Sequence, residues 1–200
     1  QKLGYKKLIA TPHIMGDFYF NTPEIIHAKA AELREKLSEK GIDMQIGAAA
    51  EYYLDEFFDQ QLKSDNLLTF GDNYVLVETS YITPTNQFDD FIFKLQTGGY
   101  KPVLAHPERY LSMHNNWSQY DSLFDKGVLF QINISSLTGY YSPEVRLVAE
   151  RLIKEGKVHF FGSDLHHTRH LKPVASGLAS AAFKGIKETK LLNPSLLEVQ

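Results

Sequence analysis

Apolar residues along this chain fall into short, nearly continuous runs separated by longer stretches in which they recur at helical spacing. Runs of strand length lie at residues 7–12, 44–50, 74–78, 102–106, 128–134 and 158–162. Between them, Thr22, Pro23 and Glu24 read as an N-cap, a first-turn proline and a first-turn acid, opening a helix that ends at Gly41. Ser142, Pro143 and Glu144 repeat that start signal, with Gly156 as its stop. Residues 86–98 and 118–127 carry apolar positions at helical spacing and also end at glycine. Strands alternating with helices predict parallel βα units, and no linker, repeat or charge run divides them. The expectation is one α/β domain over residues 1–200. The chain opens at Gln1 and meets an apolar strand almost at once, as if the domain were entered one element late.

The polar residues at the ends of these runs change the picture. His13, Glu51, Glu78, His106, Asn133 and Asp164 each close a predicted strand, 27 to 38 residues apart, about one βα unit each. In a parallel sheet or barrel the C-terminal strand ends share one face, where active sites form. Carboxylates gathered there need a cation, and imidazole with carboxylate is a ligand set for borderline divalent metals. Taken singly, each residue has a plainer alternative as a solvated loop or strand-end group. Glu78 after the apolar Val75, Leu76 and Val77, and His106 after Val103, Leu104 and Ala105, depart furthest from it. Arg109 follows His106 at the same rim, and Arg suits bidentate recognition of phosphate or carboxylate. Asp164, His166, His167, Arg169 and His170 crowd one loop, where Asp164 and His166 can face a site together. For Asn133, satisfying backbone is the favoured role over orienting a ligand. His27 and His114 read as surface residues and His159 as a satisfied core or face residue. Tyr53, Tyr140 and Tyr141 are candidates for lining a mouth that accepts an aromatic group.

Composition narrows the chemistry. The chain has no cysteine, which excludes disulfides, thiolate metal sites and cysteine nucleophiles. A net charge of −3 without a Lys/Arg block argues against a nucleic-acid partner. Apolar content of 43% with 22% charged residues is a globular mix, not a disordered one. No apolar run approaches the roughly 20 residues of a membrane span, so membrane insertion is not expected. The phosphate-loop, dinucleotide and serine-elbow signatures are absent. The cytoplasm is the expected compartment.

The strings T-P-H (11–13), A-A-E-Y-Y (49–53), L-V-E (76–78), A-H-P-E-R-Y (105–110), Q-I-N-I-S-S (131–136) and G-S-D-L-H-H-T-R-H (162–170) resemble the PHP (polymerase and histidinol phosphatase) superfamily. Within it they are most similar to the bacterial manganese-dependent protein-tyrosine phosphatases of capsule and exopolysaccharide operons. The resemblance runs in order along nearly the whole chain. It implies a distorted (β/α)7 barrel with a di- or trinuclear cluster of manganese, or of iron or zinc, at its C-terminal mouth. It further implies His13, Glu51, Glu78, His106, Asp164 and His166 as metal ligands, with Glu51 bridging two ions, and Arg109 and Arg169 as phosphate holders. The family's first strand carries an H-x-H pair followed by an Asp, and this chain begins roughly where the second strand does. The first βα unit is therefore expected to precede Gln1.

The function implied is hydrolysis of phosphotyrosine on a partner protein, a bacterial tyrosine kinase being the expected partner. A hydroxide carried by the metals would attack phosphorus, while Asp164, His166 or a metal assists the leaving phenol. Two rivals are a small-molecule phosphatase of the histidinol-phosphate type and a barrel that binds a phosphorylated partner without cleaving it. Oligomeric state has no sequence signal.

Overall fold

The computed structural model describes residues 1–64, 66–186 and 191–197. They group into two compact units, one of Gln1–Thr79 with Thr85–Pro102 and the residues from Leu196, the other of Ser80–Pro84 with Val103–Ser195.

In the first unit, β1 (Lys7–Ala10) pairs in parallel with β3 (Gln45–Ala48), and β2 (His13–Ile14) with β4 (Glu51–Tyr53). The two pairs are one ladder with a bend. Ala49 N–H donates to Ala10 O at 2.8 Å and Glu51 N–H to Pro12 O at 3.1 Å, so hydrogen bonding carries on through the break. Pro12 has no N–H and restricts Thr11, which explains why the strand expected over 7–12 stops at Ala10. His13 and Glu51 therefore open short strands and do not close long ones, a correction to the expected pattern. On the far side of β4 lies β5 (Tyr74–Glu78), parallel and buried at every position, as its continuous apolar sequence predicts.

Helix α1 (Pro23–Glu39) begins as expected, with Thr22 Oγ1 accepting from Ile25 N–H and Pro23 in the first turn. It buries Ile26 and Ala30, and Arg34 Nε donates to Ile46 O at 2.9 Å. Helix α2 (Glu56–Lys63) was not expected. Its N-cap Asp55 uses both oxygens: Oδ1 accepts from Phe58 N–H at 2.9 Å and Oδ2 from Gly16 N–H at 3.0 Å. The cap thus ties the helix to the loop that follows His13. Helix α3 (Phe88–Thr97) sets Phe91 edge-on to Phe58, ring centroids 5.5 Å apart, within the apolar core.

In the second unit, β6 (Lys101–Ala105), β7 (Leu129–Asn133) and β8 (Phe160–Gly162) form a parallel ladder with β7 in the middle. Between them run α4 (Leu111–His114), α5 (Trp117–Asp125) and α6 (Pro143–Lys154), followed by α7 (Leu171–Leu178) and α8 (Ala181–Lys184). Ser142 Oγ caps α6 by accepting from Val145 N–H at 3.2 Å. Val103, Leu104, Phe130, Ile132 and Leu152 fill the core, each worth roughly 1.5 to 3 kcal/mol of burial, and Ala149 is fully buried as well. His159 is satisfied as expected: its Nδ1 accepts from Phe130 N–H at 3.0 Å and its ring stacks on Phe124. His27 is exposed, whereas His114 is half-buried with Nε2 2.8 Å from Glu108 O.

The described residues thus form a parallel α/β fold. No described helix is long and apolar enough to cross a membrane.

Candidate metal centre

Strand register brings the first candidates together. His13 lies directly beside Glu51 on β2 and β4, and Tyr53 lies beside Glu78 on β4 and β5. Alternate residues share a sheet face, so His13, Glu51 and Glu78 project to the same side on three adjoining strands. His13 Nδ1 is 2.9 Å from Glu78 Oε1 and 3.9 Å from Glu51 Oε2. One ligand atom from each residue lies within 4.8 Å of the others. Glu51 and Glu78 are only 6% and 7% exposed. Two carboxylates this close in a low-dielectric setting repel each other, and a divalent cation relieves that repulsion. One imidazole nitrogen and two carboxylates fit a borderline metal such as manganese, iron or zinc. The backbone at His13 is pinned, since Asn21 Nδ2 donates to His13 O at 2.8 Å, and the Tyr19 ring lies 5.3 Å from the imidazole.

The second unit gathers the other candidates around Asp164. His106 follows β6 with φ +35°, and Asp164 follows β8 with φ +46°. Both adopt the left-handed conformation that non-glycine residues rarely take, a form of strain that clusters at functional sites. Asp164 Oδ2 accepts from Asn133 Nδ2 at 2.7 Å and from Arg109 Nη1 at 3.0 Å, with the Tyr141 hydroxyl at 3.3 Å. Oδ1 faces His166 Nδ1 at 3.3 Å. Burial pushes the Asp164 carboxyl up, but the charges of His106, Arg109 and His166 together with the Asn133 amide outweigh it and hold it below its ordinary value. It is thus an anion whose Oδ2 is already satisfied, leaving Oδ1 as the oxygen suited to a cation.

Asn133 departs from its favoured role. Its side chain is spent on Asp164 and the Tyr141 hydroxyl, so it orients the candidate ligand. Glu108, which sequence reasoning passed over, is fully buried. Its Oε1 accepts from Asn133 N–H at 2.9 Å and from Ser136 Oγ at 2.6 Å, and burial raises its carboxyl above the usual range. Glu108 therefore fixes the backbone from which Asn133 reaches Asp164. Its charged letter inside A-H-P-E-R-Y is the signal that could have singled it out. His106 is buried, its ring near those of Tyr81 and Tyr110. Tyr81, also missed, sits in an irregular segment without periodicity. Arg109 lies over the Tyr81 and Tyr141 rings, 4.7 and 4.3 Å from their centroids. Arg169 is exposed on the turn Thr168–His170, outside the hydrogen bonds around Asp164.

This geometry agrees with what the chain is similar to. The model of the capsular polysaccharide synthesis family CpsB/CapC matches residues 1–190. The chain belongs to the CpsB/CapC family. Among relatives, the tyrosine-protein phosphatase YwqE of Bacillus subtilis is 30% identical over 167 residues, 83% of this chain and 66% of that protein. The tyrosine-protein phosphatase CpsB of Streptococcus pneumoniae is 26% identical over 170 residues, 82% of this chain and 70% of that protein. The chain therefore spans just under two thirds of the Bacillus subtilis CpsB/CapC relative. A solved structure from work on YwqE and CpsB, described as metal-dependent tyrosine phosphatases, superposes with a TM-score of 0.83 at 27% identity. It covers all of this chain and 83% of the other.

Proposed function

We propose that this CpsB/CapC chain serves a metal-dependent phosphomonoester hydrolase that removes phosphate from tyrosine on proteins. The observation that carries this is the group of half-buried His13 with buried Glu51 and Glu78, suited to a cation, in a chain similar to phosphatases named as metal-dependent. The metal ligands are His13, Glu51 and Glu78 in the first unit and His106, Asp164 and His166 in the second. Manganese, in a cluster of two or three ions, is the expected metal, and the donor set also admits iron or zinc. The ions supply positive charge for the phosphoryl oxygens and an activated water. Arg109 and Arg169 neutralise phosphate charge, Arg109 from a side chain already oriented by Asp164. His106, Arg109 and His166, with the Asn133 amide, keep Asp164 ionised, and Glu108 holds the backbone from which Asn133 directs it. The absence of cysteine suits a hydrolysis that uses no protein thiol.

On this reading, residues 1–200 act as one domain of a distorted (β/α)7 barrel, supported by the parallel strand pairing within each unit. The partner is a phosphotyrosine protein, a bacterial tyrosine kinase of capsule or exopolysaccharide synthesis, and the protein works in the cytoplasm.

The test is phosphate release from a phosphotyrosyl peptide with manganese and with chelator, run beside free phosphomonoesters. Metal-dependent release favouring the peptide is expected. Preference for small phosphomonoesters points to a histidinol-phosphate-type enzyme. Tight phosphopeptide binding without release points to a non-catalytic binder.

A further inference from the structure

The environment of Arg109 holds more than a salt bridge. Its guanidinium carbon lies over two aromatic faces, Tyr81 at 4.7 Å and Tyr141 at 4.3 Å. Neither ring is loosely placed. Tyr81 sits 5.6 Å from both the His106 and Tyr110 rings, with its carbonyl accepting from Leu111 N–H at 2.9 Å. Tyr141 is braced edge-on by Tyr140 at 5.1 Å, and its hydroxyl lies 3.1 Å from Asn133 Nδ2 and 3.4 Å from Ser135 Oγ. An arginine held this way has lost the rotamer freedom that a solvent-exposed one gives up each time it binds an anion.

We propose that Tyr81 and Tyr141 are positioning residues that clamp the Arg109 guanidinium for an incoming phosphate. The guanidinium carbon lies over both ring faces, and Nη1 is committed to Asp164 at 3.0 Å. A guanidinium carries five N–H groups in its plane, so what remains for an oxyanion is the rest of the in-plane fork. The Arg109 side chain is 22% exposed, so part of it is open to solvent. Asp164 does not exhaust the arginine, because it takes the guanidinium through Nη1 at one oxygen, which Asn133 and Tyr141 share. The clamp rests on the phosphatase reading only in taking phosphate as the anion.

The experiment replaces Tyr81 or Tyr141 with Phe and with Leu, in the full chain and in an Arg109→Lys background. Inorganic phosphate binding is measured by calorimetry with manganese present, and KM and kcat are measured on a phosphotyrosyl peptide. Leucine is expected to weaken phosphate binding and raise KM about three- to tenfold, with kcat held within about twofold. Phenylalanine at position 81, which keeps the ring, restores both to within about twofold, and at position 141 it restores phosphate binding. In the Lys background, leucine changes phosphate affinity by less than about twofold, because the tyrosines act through Arg109. Circular dichroism checks the fold first, and Met replaces Leu wherever Leu disturbs it. Unchanged phosphate binding in the leucine variants, or an equal loss in the Lys background, overturns the clamp. If the unmodified chain binds phosphate through the clamp yet hydrolyses no phosphomonoester, the phosphatase reading fails and the clamp stands. If it binds no phosphate, the clamp falls.

Discussion

His13 Nδ1 and Glu78 Oε1 lie 2.9 Å apart, although 64 residues separate them in sequence and a third strand carrying Glu51 runs between theirs. Replacing Glu78 with Gln keeps the shape and removes one of the two charges that call for a cation. Bound manganese, counted by elemental analysis after dialysis, is expected to fall by at least one ion per chain. Peptide turnover falls with it by about a hundredfold or more. Undiminished metal content in this variant would remove the group from the ligand set.

Asn133→Leu tests whether orienting Asp164 matters. The amide that donates at 2.7 Å disappears, and kcat/KM is expected to drop about 10- to 100-fold, as for other groups that orient a metal ligand. Asn133→Asp should be worse, since it sets a second carboxylate against Asp164. Steady-state kinetics on the peptide, with a thermal melt to confirm folding, decide the matter.

Glu108→Ala strands two buried donors, the Asn133 N–H and the Ser136 hydroxyl. The expected cost is about 2 to 5 kcal/mol in urea denaturation. Glu108→Gln keeps an acceptor in place, and burial already favours the neutral acid there, so its cost should stay below about 1.5 kcal/mol. Equal losses for the two variants would contradict this role.

Acid stability should report on Glu155, which accepts from Trp117 Nε1 and Arg151 Nε at 2.9 Å and from Lys157 Nζ at 2.8 Å. Lys157 first, with Arg151 and Trp117, draws its carboxyl down to about 2. A depressed acid contributes stability above its unfolded pKa and loses it as pH falls toward the folded one, here from about 4.5 to about 2. Trp117 is the single tryptophan, and the Arg151 guanidinium lies 3.6 Å from its ring centroid. Its fluorescence therefore follows this cluster directly. Glu155→Gln should flatten the acid limb of the denaturation midpoint between those pH values.

Gly177→Ala is expected to destabilise by about 1 to 3 kcal/mol. A Cβ there would stand 2.3 Å from the Ile134 carbonyl oxygen, a backbone atom that has little room to retreat. Chemical denaturation measures the loss, and a neutral result would mean that α7 shifts without cost.

Much of this arrangement was legible in the chain. The apolar run at Tyr74–Glu78 is the observed β5, and the Thr22 and Ser142 caps open the helices they announce. Candidate ligands His13, Glu51 and Glu78 were visible as polar residues at the edges of apolar runs. The bend that makes His13 and Glu51 strand openers was not visible, because Ala49 and Ala50 suit strand and loop alike. Helix α2 is capped by Asp55, but it is short and its Phe57 and Phe58 favour strand by propensity, so its signal is weak. Tyr81 and Glu108 act through contacts distant in sequence, which no local spacing encodes. Asn133 was undervalued because an amide at a strand end usually satisfies backbone, and only the position of Asp164 shows otherwise.

The left-handed backbone at His106 and Asp164 is held by the side chains it presents. Glycine takes that conformation without strain, a relief on the order of 1 kcal/mol apiece. His106→Gly would also empty a buried place beside the Tyr81 and Tyr110 rings, and Asp164→Gly would take the acceptor from Arg109 and from the Asn133 amide. Those losses, about 2 kcal/mol or more, exceed the relief. A screen for heat resistance and a screen for phosphate release should therefore both reject glycine at these two positions, so that fold and chemistry select the same side chains there.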